Sequence, residues 1–280
     1  MSIHAVCQRF AYLFLAFILV IPASASATGS FTIGVVPQFD ARRIHTIWQP
    51  ILTHLEQATG YSFRLAGAPT IPAFEKEFVS GHFDFAYMNP YHLIMAHREQ
   101  GYLPLVRDVG RQLFGVLVVS KHSGITDVQQ LNGREIAFPA PNALGASLMM
   151  RQELSDDFGI SFTPRYVKTH DSVYLNVLLE ETAAGGGVQK TLDRQKSSIR
   201  DNLQVLHTTR PVAPHPVAYH PRIDKAVVEK VAAALLKMGQ SDSGKKALAA
   251  IPIKKIGPAQ LSDYQVLETM GLERFHVRNW

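Results

Sequence analysis

One unit recurs along this chain and limits what it can fold into: a short apolar run, a turn marked by proline, asparagine or aspartate, then a helical pattern. Residues 31–36 alternate as a strand and 37–40 form a loop. Ile44, Ile47, Trp48, Ile51, Leu52 and Leu55 then fall at helical spacing up to a stop at Gly60. A strand at 64–66 gives way to Thr70-Ile71-Pro72 and a helix reaching Gly81. Residues 83–87 form the next strand, after which Asn89 caps a helix with Pro90 at its first position. Strands alternating with helices of this length predict βαβ units and a largely parallel sheet.

A second group of units follows the continuous apolar strand at 114–120. The segment 137–151, AFPAPNALGASLMMR, reads as a strand end, a proline loop and a helix opened by Asn142 and carrying Leu144, Leu148 and Met149. A strand at 165–168 precedes THDS and a helix from Val173, and residues 183–187 precede another helical stretch. A strand at 203–206 leads through Pro211, Pro214 and Pro216 to 217–219, and Ala226 to Met238 is strongly amphipathic. Two α/β lobes are expected, with residues 28–115 plus 212–280 in the first and 116–211 in the second. Open sheets bind ligands outside the carboxyl ends of their strands. The turns at 38–40, 87–91, 141–145 and 169–172, with the glycine turn 185–187 as a fifth, are therefore expected to face one cleft.

Arg9, the apolar run 10–21, Pro22 and the small residues ASASA read as a signal peptide over 1–27, cleaved after Ala25 or Ala27. The apolar run is well short of the roughly 20 residues that span a bilayer, so an exported, periplasmic protein of about 250 residues is expected. The single cysteine, Cys7, lies within that peptide, which excludes disulfides, thiolate catalysis and cysteine metal sites from the remainder. Without disulfides such a chain depends on its core, and an apolar content of 46% allows one. With Arg9 removed, 27 basic and 23 acidic residues leave a charge of +4. The basic pairs (Arg42-Arg43, Lys245-Lys246, Lys254-Lys255) are too scattered for a nucleic-acid stripe.

Individual residues keep two readings. The helix start at Asn142 is either a capped helix or, with its free N–H groups and dipole, an anion cradle. Phe39, Tyr87 and Tyr91 can wall the cleft, whereas Phe83 and Phe85 alternate with Asp84 as core. Asn89 is a cap and a candidate donor. His170, Asp171 and Ser172 are adjacent at a helix start and cannot stack as a nucleophilic triad. Ser172 or Asp171 is expected to cap that helix, with His170 turned to the cleft. The histidine pairs His92/His97 and His215/His220 do not place two rings on one helix face, so no metal site is expected. Gly185 to Gly187 lacks the Lys and Ser/Thr of a phosphate loop, and no cofactor is expected.

The segments TIGVVPQF, IWQPIL, GHFDFAYMNPYHL, GVLVVSKHSGI, LNGREIAFPAPN, THDSVYLNVL and GPAQLSDYQVL occur in an order that resembles the periplasmic phosphate/phosphite/phosphonate-binding proteins of ABC transporters. The resemblance implies a two-lobed type 2 periplasmic-binding fold, α/β, with a ligand cleft between the lobes. It implies a non-enzymatic, monomeric solute-binding protein that closes on a small oxyanion and presents itself to an inner-membrane permease, or alternatively to a histidine kinase as a sensor. A different small ligand is the other alternative. By the resemblance Tyr87 falls on the family's usual aromatic and His170-Asp171-Ser172 on its His, acid and hydroxyl triplet; with the residues read above, the candidate ligand set is Phe39, Tyr87, Asn89, Tyr91, Asn142, Ala143, Leu144, Gly145, His170 and Ser172. Ala143, Leu144 and Gly145 stand where the family carries Ser and Thr, Leu113 where it often has an aromatic hydroxyl, and residues 183–187 where it often has an acid.

Overall fold

The computed structural model describes residues 29–278, so the signal-peptide reading of 1–27 lies outside the described residues. The first sheet takes β1 (Ser30–Val35), β2 (Ser62–Gly67), β3 (Phe85–Tyr87), β4 (Leu103–Asp108), β10 (Val217–Tyr219) and β11 (Ile256–Pro258), in the order β11-β4-β10-β3-β1-β2. The second takes β5 (Val116–Ser120), β6 (Glu135–Phe138), β7 (Thr163–Tyr166), β8 (Ala184–Gly187) and β9 (Leu203–Thr208), in the order β7-β6-β8-β5-β9. Each sheet belongs to one lobe. Among the described residues no helix is long and apolar enough to cross a membrane.

Both sheets are mixed rather than largely parallel. β1, β2 and β3 run parallel, but β10 is antiparallel to β3 and β4. β6, β7 and β8 run parallel, whereas β5 is antiparallel to β8 and β9. The reason is the crossing between lobes: a chain that leaves one sheet at its carboxyl edge enters the other at the same edge, and so runs against the strands already there. The two crossings bridge each other where Leu113 and Val212 exchange N–H···O bonds of 2.8 and 2.9 Å. The carboxyl ends of β1 and β3 therefore face those of β6, β7 and β8.

Local signals set the helices. α1 (Ala41–Thr59) begins where the Asp40 carboxylate accepts the Arg43 N–H at 2.9 Å. It stops at Gly60, whose φ of 74° is the left-handed conformation that closes a helix. Its buried face is Ile44, Trp48, Ile51, Leu52 and Leu55, five of the six residues picked out by helical spacing. α2 (Ile71–Val79) and α3 (Pro90–Gln100) are capped by Thr70 and Asn89. α5 (His170–Leu178) is capped by Thr169, not by Asp171 or Ser172: the Thr169 hydroxyl accepts the Ser172 N–H at 3.0 Å.

The helix expected from Asn142 starts later and is wider. It runs as π-helix Leu144–Met149, a short α-turn Met150–Gln152 (α4) and π-helix Glu153–Asp157. The Ala143 carbonyl accepts from both Ser147 and Leu148, at 2.8 and 3.1 Å, which opens the first turn. Leu144, Leu148 and Met149 join the apolar core of the first lobe, with Trp48, Phe74, Phe78 and Phe85. This composite helix is thus shared between the lobes.

The glycine run is not a turn. Gly185 to Gly187 lie in β8, buried between β6 and β5. Glycine weakens a strand unless something must approach closely, and here it does. A Cβ on Gly185 would sit 2.5 Å from Val173 Cγ1, one on Gly186 2.0 Å from the Ala146 carbonyl oxygen, and one on Gly187 2.3 Å from the Tyr174 hydroxyl. Both flanking helices press directly on the strand backbone. Gly186→Ala is therefore expected to lower the unfolding free energy by about 3 kcal/mol or more. Gly124→Ala, at a φ of 70° with open space around it, should cost only about 1 kcal/mol of backbone strain. Urea midpoints for the two variants give the comparison, and equal shifts would remove the packing argument.

Candidate functional site

At the strand ends stand Gln38, Phe39, Tyr87, Arg111 and His215 in the first sheet's lobe, and His170, Lys190 and the 141–145 loop in the second. Phe39 follows β1, half-buried, with the Arg43 guanidinium carbon 3.9 Å from its ring centre. The aromatic face beside Trp48, Phe39 and Tyr87 is closely packed, since the cavity left there is about 10 Å³, one water at most. A concavity of about 630 Å³ lies along the exposed face of α1, lined by His45, Gln49, Thr53 and Gln57. It includes no residue of the strand-end turns or of the second lobe, so it is not the cleft.

Tyr87 is buried and its hydroxyl donates to the Ile251 carbonyl at 3.0 Å. Its phenol is pushed far up by burial and stays neutral. What it offers is its ring, stacked on His215 with centroids 5.5 Å apart. The other edge of His215 places Nε2 2.6 Å from Gln38 Nε2. Burial, then the fields of His92 and Arg111, depress the His215 pKa from 6.5 to about 3, so the imidazole is neutral and serves as acceptor to the Gln38 amide. Sequence patterning had weighed His215 only as a metal ligand. Among the described residues no three His, Cys, Asp or Glu side chains are placed to hold a metal ion.

Asn89 caps α3, accepting the His92 N–H at 2.8 Å, and is buried. Tyr91, also buried, lies 5.9 Å ring to ring from His276. Asn142 is fully buried and turned to the carboxyl-terminal segment, with Nδ2 donating to the Val277 carbonyl at 2.8 Å and to Glu75 Oε1 at 3.2 Å. Its Oδ1 accepts the Val277 N–H at 3.0 Å. Asn142 is therefore not the helix cap; Ala143 is, and it supplies no side-chain acceptor. Leu144 is buried in the core. Gly145 packs on the crossing strand, where a Cβ would meet Gly115 N at 3.0 Å and Leu113 Cδ2 at 3.2 Å. Ser172 is engaged in the α5 cap, its hydroxyl 2.8 Å from that of Thr169.

His170, at the start of α5, keeps a buried Nδ1 with no hydrogen-bond partner among the described residues. Burial holds its pKa down to about 4, the opposing pull of Asp171 being weaker. It is a neutral ring with an open valence. Glu75 shows the reverse balance: burial raises its carboxyl, but hydrogen bonds from His276 and His92 outweigh this and hold it at about 2.

Cations complete the arrangement. Lys190, just past β8, is held below the usual lysine range by burial and then by the fields of Arg194, Arg111 and Arg43. Two of those guanidinium groups belong to the first lobe. Arg111 follows β4 and lies 3.0 Å from Asp108 Oδ2. That carboxylate already accepts the N–H groups of Gly110, Lys254 and Lys255, and among the described residues the Arg111 Nε makes no hydrogen bond of good geometry. Among the described residues neither Arg43 nor Lys190 takes part in an ion pair. Three like charges, two of them without an ion-pair partner among the described residues, together with a helix start that lacks an acidic residue, make for an electropositive cleft. Neither Arg43, Arg111 nor Lys190 belongs to a motif, and only the fold brings them together.

Two sheets joined by paired crossings, with strand ends facing a cationic cleft, define a two-lobed binding protein of the type 2 periplasmic class. The family model for the periplasmic substrate-binding protein of phosphonate ABC transporters matches residues 33–264, and the chain belongs to that family. Members of that family are substrate-binding proteins, not enzymes. Solved structures share the fold at low identity. A binding-protein component of an ABC phosphonate transporter from Pseudomonas aeruginosa is 14% identical, with a TM-score of 0.72 over 88% of this chain and 87% of that one. PhnD1 from Prochlorococcus marinus, in complex with methylphosphonate, is 13% identical with a TM-score of 0.75, covering 88% and 98%. A Xanthomonas citri protein bound to chloride is 16% identical with a TM-score of 0.76, again covering 88% and 98%. No curated protein matches this chain.

The neutral histidines predict a pH dependence. Unfolded, His170 and His215 take up protons near pH 6.5; folded, they do so only near 4 and 3. The unfolded state thus binds more protons below 6.5, and stability should fall as pH drops from about 6.5 towards 4. The depressed Glu75 adds its own loss only in the lower window, from 4.5 towards 2. Urea midpoints at pH 7, 6, 5 and 4 should decline steadily, with His215→Gln flattening the upper part. Constant midpoints between 7 and 5 would mean both rings are solvated.

Proposed function

We propose that this protein is the periplasmic receptor of an ABC importer for a small oxyanion of the phosphate, phosphite or phosphonate class, and that it works as a monomer handing its closed form to an inner-membrane permease. The observation that carries this reading is the convergence of Arg43 and Arg111 from one lobe with Lys190 from the other, in mutual repulsion that an anion would relieve. The methylphosphonate complex of the Prochlorococcus relative supports the ligand class.

The site differs from a hydroxyl-lined one in its chemistry. With Ala143, Leu144 and Gly145 at the helix start, the anion meets backbone N–H groups and the helix dipole there. The cations supply the charge-assisted bonds that Ser and Thr would have supplied as neutral donors. Neutral His170 offers either a donor or an acceptor, and the Tyr87–His215 stack offers an apolar wall for a substituent on the oxyanion. Closure follows because the anion touches both lobes only when they meet, so binding favours the closed state by differential affinity.

Titration calorimetry with methylphosphonate, inorganic phosphate, phosphite and sulfate tests the reading. At least one is expected to bind, with affinity weakening as salt rises because the attraction is partly Coulombic. Lys190→Ala and Arg111→Ala should each weaken that binding about tenfold or more, at about 1.5–3 kcal/mol for a hydrogen bond to a charged group. Binding of an uncharged solute with no response to any of the four anions would overturn the ligand class.

A further inference from the structure

We propose that the carboxyl-terminal segment 274–277 is a strap: a third, non-covalent connection between the lobes that must let go before they separate. It rests on lobe closure as the working motion and not on which ligand is bound.

The segment is anchored on the first lobe and bonded to the second. Leu272, just before it, is fully buried in the first lobe's core. Arg274 then pairs with Asp156 of the composite helix. The Phe275 carbonyl accepts Arg151 Nη2 at 2.7 Å, and the same nitrogen donates to the Pro141 carbonyl at 2.7 Å. Val277 exchanges two hydrogen bonds with the Asn142 side chain, of 2.8 and 3.0 Å. His276 Nε2 turns back to the first lobe, 3.1 Å from Glu75 Oε1, an oxygen that also accepts from Asn142 at 3.2 Å and His92 at 3.1 Å.

Burial makes these bonds costly to leave unmade. Asn142 is 0% exposed, and Arg151 and Glu75 are each 6% exposed. Among the described residues Arg151 makes no bond to a carboxylate; its guanidinium is satisfied by Ser147 and by two carbonyl oxygens, one of them in the strap. Parting the lobes would break the Asn142–Glu75 bond. Parting them with the strap released would also leave the Asn142 amide and one Arg151 bond unmade until water enters. The strap therefore holds the 141–145 binding edge to the first lobe, and its bonds must release for the lobes to part. This also explains why Asn142, though placed at the ligand loop, is turned away from the cleft: it is a positioning residue that ties the binding edge to the tail.

The test needs no ligand. A chain beginning at residue 28 contains no cysteine, so Thr53→Cys on the first lobe and Ser198→Cys on the second, both exposed, can carry spin labels. Pulsed electron resonance then reads the interlobe distance distribution. In Asn142→Ala/His276→Ala the long-distance population should rise about tenfold or more, as expected for loss of two or three buried bonds. Glu268→Ala, which breaks only the first lobe's Arg98 pair at 3.6 Å, should leave the distribution unchanged. If the double variant loses its cooperative melt, His276→Ala alone carries the test, with a smaller shift in the same direction. A distribution identical to the parent in the folded strap variant overturns the proposal. Failure of every oxyanion to bind would leave it standing.

Discussion

Much of this molecule depends on one close approach of backbone to backbone, where the composite helix lies on the first crossing strand. A Cβ on Gly115 would sit 1.9 Å from the Gly145 carbonyl oxygen, and one on Gly145 3.0 Å from Gly115 N. Glycine at 115 is required, and glycine at 145 eases the fit, for the helix start to rest against the hinge. That contact puts the helix's free N–H end between the lobes and sends Leu144, Leu148 and Met149 into the first lobe's core. It also leaves Asn142 facing the carboxyl-terminal segment. The glycine strand β8 repeats the principle from the other side, admitting the same helix through the Ala146 carbonyl above Gly186.

Electrostatics follow from that geometry. Neutral groups line the part of the cleft that burial reaches, because an imidazole without a counter-charge gives up its proton sooner than pay for desolvation. Cations gather at its rim, where solvent keeps them charged. Glu75, a buried carboxylate at the junction, is kept ionised by bonds from His92 and His276 and so belongs to the fastening of the lobes. The separation is physical: anion-attracting charge at the mouth, and a satisfied carboxylate behind the binding edge where it does not oppose the ligand.

The elements that were legible in the sequence are those whose signals are local. Asp40, Thr70 and Asn89 cap their helices through their own side chains, and Gly60 ends α1 by its own φ. The amphipathic face of α1 is what its spacing promised. Signals failed where the partner is distant. Three glycines read as a turn because nothing local says that Val173, Ala146 and Tyr174 will press on them. Asn142 read as a cap because its true partners, Val277 and Glu75, lie 135 and 67 residues away. His215 showed only as a loose histidine, for its stacking on Tyr87 requires the second crossing to return beside β3.

By itself, then, the sequence determined the α/β units, the strand-end turns and the family, because caps, periodicity and motif order are properties of neighbouring residues. Tertiary structure alone decided the mixed sheets, the π-wound start of the binding helix and the meeting of Arg43, Arg111 and Lys190. It also decided the fastening of the tail to Asn142. Each of these depends on two segments brought together by the crossings between lobes, and no window of sequence contains both.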